Sequence, residues 1–242
     1  MNVGEMHLAI QQGVDKINSF QADTLLSEEI DLELNKAIDK FINLKYGKNN
    51  IYGKGFEESQ KRVDDLREIV TSTSLKFIYL EPSVNNTFVY QSSSLPADYR
   101  YLIKTLVTVE YNRSCNVLNP KEQTLAETVR YPVSKLGSAK FTQQDDIHTA
   151  LLDPFNTTTR FKPLMTFEDK KINIYTSDIF IIKSLKLTYI KNPAKVSLSS
   201  STGCELAPHT HQEIVDMTIS SILEGISDPR YKTQQIELGK NE

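Results

Sequence analysis

At TSTS, residues 71–74, the apolar side chains stop recurring every three to four residues and begin to recur every second one, and after Gly203 the longer period returns. Such a chain is expected to place helices at both ends and strands between them, because each period lines one face of only one kind of element. In EMHLAIQQGVDKINSF the residues Met6, Ile10, Val14 and Ile17 form one helical stripe. The next segment has Ser27 as its expected N-cap, with Glu28 and Glu29 in the first turn, where carboxylates oppose the positive end of the helix dipole. Its stripe is Ile30, Leu34, Ala37, Ile38, Phe41 and Leu44, and Gly47 just past Tyr46 is the expected stop. FEESQKRVDDLREIV repeats the pattern through Val63, Leu66 and Val70.

Beyond residue 74, LKFIYL, TFVY, the stretch 102–111, INIY and the run 179–190 are rich in β-branched and aromatic residues, as strands are. In the last run Ile181, Leu185, Leu187 and Tyr189 alternate with Ser184, Lys186 and Thr188, which predicts a sheet wet on one side. A short helix is expected over 143–152 and a turn over 168–171. Asn192 and Pro193 close the last strand, and SLSSSTG (197–203) reads as a flexible connection. The final helix has Thr210 and Glu213 at capping-box spacing and Val215, Ile219, Ile222 and Ile226 as its stripe, until Asp228 and Pro229 end it. Isolated helices of this length are marginal in water, so the striped faces must bury one another. The expected fold class is therefore α+β: a helical bundle formed by the N-terminal helices and the C-terminal helix, with an inserted antiparallel β region. The expected domains are 1–72 with 204–229 as the bundle, 73–203 as the β-rich insertion and 230–242 as an extended C-terminal arm.

At 242 residues the chain can bury a sizeable core, and its 28 basic against 31 acidic side chains offer no excess positive charge to a phosphate backbone. No specific nucleic acid is expected as a partner. No apolar run reaches the length of a membrane span and the N-terminus lacks a signal-like start, so a cytosol-like compartment without membrane contact is expected. Cys115 and Cys204, far apart, are expected to be reduced.

Candidate chemistry is sparse. His209 and His211, near Cys204 and Glu213, are the best metal candidates, but a helix starting there turns the two rings apart, leaving them surface or capping roles. Asp145, Asp146 and His148 are expected acidic and polar residues at a helix start. Gly47, Gly53 and Gly55 with Lys48 and Lys54 lack phosphate-loop spacing, and neither a GxSxG elbow nor an HExxH helix occurs. No catalytic, cofactor-binding or metal-binding residue is therefore expected, and no enzyme.

EMHLAIQQGVDKINSF followed by SEEIDLELNKAIDKFINLKY resembles the N-terminal region of structural proteins of crAss-like phages, and LAPHTHQEIVDMTISSILEGISDPRY is similar to their closing segment. LPADYRYLI (95–103) is more loosely similar to phage connector proteins. The resemblance implies a virion structural protein of the head-to-tail connector, synthesised in the bacterial host cytoplasm. It implies a portal adaptor ring, a homododecamer of about 12 copies closed by head-to-tail interfaces. Its implied partners are the portal protein and other connector or tail ring proteins. The alternatives are another virion ring such as a tail stopper, a decoration protein, or a metal-dependent hydrolase built on His209, His211 and the Asp145/Asp146 region. In the arm, Arg230, Tyr231, Ile236 and Leu238 are the expected partner-binding residues, since apolar and aromatic side chains punctuating a polar segment can anchor it in a neighbour's pockets.

Overall fold

The computed structural model describes residues 1–15, 25–47, 55–82, 87–111, 135–177 and 180–225. Five α-helices are described: α1 (Val3–Asp15), α2 (Ser27–Tyr46), α3 (Gln60–Leu66), α4 (Ile147–Leu152) and α5 (His211–Gly225). Nine strands are described: β1 (Val70–Leu75), β2 (Phe77–Pro82), β3 (Phe88–Ser92), β4 (Tyr99–Tyr111), β5 (Lys135–Ser138), β6 (Lys140–Phe141), β7 (Leu164–Glu168), β8 (Lys171–Thr176) and β9 (Phe180–Lys191). The chain forms two compact units, Met1–Val70 with Asn192–Glu242, and Thr71–Lys191.

In the helical unit α1 and α2 each pack against α5. α1 starts with a reciprocal cap, Glu5 N–H to Asn2 Oδ1 at 2.7 Å and Asn2 N–H to Glu5 Oε2 at 2.8 Å. Its stripe of Met6, Ile10 and Val14 is buried. At Gly13 an added Cβ would run into the end of the Ile219 side chain, so the glycine lets α1 approach α5 closely. The stripe of α2 is buried from Ile30 to Phe41. Leu26 rather than Ser27 is its N-cap, and the Glu29 carboxylate accepts the Leu26 N–H at 3.0 Å. Gly47 closes the helix through its N–H to Asn43 O, 3.0 Å.

The expected third helix is broken. Short 3-10 turns at Phe56–Glu58 and Arg67–Ile69 flank α3, and with about three residues per turn they shift the buried face. Phe56, Arg62, Asp65, Leu66 and Ile69 are buried, whereas Val63 and Val70 are only half-buried. The connection 197–203 also differs from expectation: it belongs to the helical unit and is tied to α2. The Asn35 side-chain amide donates to Val196 O and accepts Val196 N–H, both at 2.9 Å. Asp31 accepts Leu198 N–H at 3.2 and 3.1 Å, and Ser197 bridges Thr202 around a turn in which Ser201 is left-handed at φ 53°.

The β unit contains two sheets, ordered β1-β9-β4-β5 and β2-β3-β8-β7-β6. The chain passes from one sheet to the other at Lys76, between β3 and β4, at Ala139 and between β8 and β9. Leu75, Val107, Val109, Leu185 and Leu187 from the first sheet and Met165, Ile172 and Ile174 from the second share one core, so the sheets bury their apolar faces on each other. On the other face of the second sheet Leu164 and Tyr175 pack on Ile147 of α4. In β9 the expected alternation holds at Leu185, Leu187 and Tyr189, but Phe180 and Ile182, not Ile181, are the buried residues upstream. The register with β4 shifts between Thr108/Ser184 and Val109/Ile182, so an extra residue at Lys183 inverts the phase.

The expected fold class is corrected. With two sheets and nine strands against five helices among the described residues, the molecule is α+β but not a helical bundle with a β insertion. Nor is the β region wholly antiparallel, because β6 and β7 pair in parallel. β5, β6 and β7 were not legible as strands: two are too short to show a period, and LMTFE buries consecutive residues because it is covered on both faces.

Candidate functional site

Two regions concentrate unusual side chains, one in each unit. In the helical unit a polar seam joins the two ends of the chain. Lys45 leaves the end of α2 with only 3% of its surface exposed, its stem against Phe41 and its ammonium 5.0 Å from that ring. Its Nζ lies 2.7 Å from Glu213 Oε1 on α5 and 3.8 Å from Asp65 Oδ2 on α3. The other Asp65 oxygen meets His209 Nε2 at 2.9 Å. Arg62 donates to Leu44 O at 2.9 Å and Lys45 O at 3.3 Å, so its guanidinium satisfies carbonyls at the end of α2. Glu213 is therefore engaged with Lys45 rather than in a capping box, and Thr210 Oγ1 donates to Ala207 O at 2.8 Å.

The histidines divide. His209 is exposed at its ring, but His211 is buried, with Nε2 3.0 Å from Leu206 O and Nδ1 3.1 Å from both the N-terminal nitrogen and O of Met1. A surface or capping role for His211 is corrected by that burial. A third, His7, is buried against Asp31 at 2.8 Å. The two expected metal candidates thus point to different partners, and among the described residues no group of three or more His, Cys, Asp or Glu could hold a metal ion. Burial pushes the Cys204 thiol up, away from the thiolate. On α2, burial raises the Glu33 carboxyl, but bonds from Lys36 and Ser221 outweigh it and leave it below its ordinary value.

The β unit carries a different kind of feature. Residues 135–168 form a parallel crossover: β5 and β6, then α4, then β7. Its rungs are Ser138 N–H to Phe161 O (3.0 Å), Lys140 N–H to Pro163 O (2.8 Å) and Thr142 N–H to Met165 O (2.9 Å). At Gly137 an added Cβ would stand 2.7 Å from Arg160 O, so the two segments approach too closely for any side chain there. Of the eleven large apolar side chains exposed among the described residues, five lie on this crossover: Leu136, Phe141, Leu152, Phe155 and Phe161. That concentration separates it from the scattered exposed leucines any surface carries.

Phe155 is 94% exposed yet stands on a built turn. Asp153 accepts Phe155 N–H at 2.9 Å and Asn156 Nδ2 at 2.6 Å, and its own carbonyl accepts Asn156 and Thr157 N–H. The Phe155 N–H, with Asn156, holds the Asp153 carboxyl below its ordinary value of 3.8. Phe161 is half-exposed under the Arg160 guanidinium, 4.5 Å from its ring, and Phe141 stacks obliquely on Phe167 at 5.6 Å. Exposed aromatic side chains suit a protein contact, because each can bury a large apolar face at small cost in side-chain entropy.

The expected arm residues Arg230, Tyr231, Ile236 and Leu238 lie outside the described residues, as do Cys115 and the Lys48 and Lys54 loop. Asp145, Asp146 and His148 are exposed at the start of α4. The crossover was missed from the sequence, although DPFN, a turn sequence with a phenylalanine at its tip, was a usable signal. Among the described residues no helix is long and apolar enough to cross a membrane. No protein-family model matches the chain, and no curated protein matches it.

Proposed function

We propose that this chain is a non-enzymatic structural component of a tailed phage particle, a ring-forming head-to-tail connector that docks on the portal. The likeness of its two end segments to structural proteins of crAss-like phages supports this role. The observation that supports it is the group of exposed apolar and aromatic side chains on the crossover of the β unit, which suits contact with another protein.

In this role the protein acts by adhesion and geometry. Leu136, Phe141, Phe155 and Phe161 supply apolar contact area, and repetition of one head-to-tail contact closes a ring. The experiment is a cryo-electron microscopy map of particles carrying wild-type or Phe155→Ser/Phe161→Ser protein. Wild type is expected as a closed ring at the head-to-tail junction, and the double variant is expected to fold yet be lost from the ring. Wild-type copies scattered over the capsid, or absent from particles, would overturn the role.

A further inference from the structure

We draw no further inference here: the strongest candidate, the exposed apolar patch on the crossover of the β unit formed by Leu136, Phe141, Leu152, Phe155 and Phe161, carries nothing because nothing in the structure shows what covers it.

Discussion

The two units hold their interiors together by different means. Among the described residues every buried lysine, arginine, aspartate and histidine lies in the helical unit: His7, Lys45, Arg62, Asp65 and His211. The buried polar residues of the β unit are neutral, Thr105, Thr158, Thr166, Asn173 and Thr176 among them. The β unit is one continuous segment whose backbone ladders already fix which residues face each other. The helical unit is assembled from two stretches of chain separated by the whole β segment, and apolar stripes on helices tolerate sliding. Directional bonds such as Lys45 to Glu213 and His211 to Leu206 and Met1 discriminate between registers that hydrophobic burial alone would not.

The contrast breaks most visibly at Lys45. Lys45→Met leaves the buried Asp65 carboxylate without its neighbouring cation and is expected to destabilise the helical unit by about 3–5 kcal/mol. Hydrogen exchange should then show lost protection in α1, α2 and α5, with β4 and β9 little changed. Adding Asp65→Leu should recover much of the loss, since an apolar pair of similar volume often replaces a buried ion pair without penalty. Equal loss of protection in both units would show that the interiors are not separately supported.

A smaller effect sharpens the division among the histidines. His211→Ala deletes buried bonds and should cost about 1–3 kcal/mol, read as a lower midpoint in urea unfolding. His209→Ala removes a half-exposed ring together with the 2.9 Å partner of the buried Asp65 carboxylate, and should cost about 1 kcal/mol, the low end of that range, because water can take the vacated position. The reverse order would mean that His209, not His211, ties the chain ends together.

The smallest expected effect belongs to the β unit and to pH. Asp153 is held below its ordinary carboxyl value by the Phe155 N–H and Asn156, so the turn is supported fully above 3.8. Because the folded value is depressed, that support is lost as the pH falls below 3.8 through it. Amide exchange at Phe155 should quicken in that acid window while β8 stays protected. Tyr189 gives the opposite edge: burial, then its 3.0 Å bond to Asp98, push the phenol up to about 12. A Phe155 amide that exchanges equally fast on both sides of the acid window would show that the turn does not present the ring.

What the sequence determined by itself is local. Met6, Ile10 and Val14 and the α2 stripe from Ile30 to Phe41 were legible because a period of three to four is written into consecutive residues, whereas the change to strands, expected at residues 71–74 with Val70 still in a helical stripe, already comes at Val70. The stop at Gly47 and the turn before Lys171, where Asp169 and Lys170 take φ 42° and 59°, were legible for the same reason. Only the tertiary structure decided that the strands make two sheets, that β6 and β7 run parallel, and that an added residue at Lys183 inverts the face of β9. The same holds for the burial of Lys45, Asp65 and His211 and for the exposure of Phe155. Each of these depends on partners dozens to hundreds of residues away, and whether a side chain is covered is a property of what arrives opposite it, which no local spacing encodes.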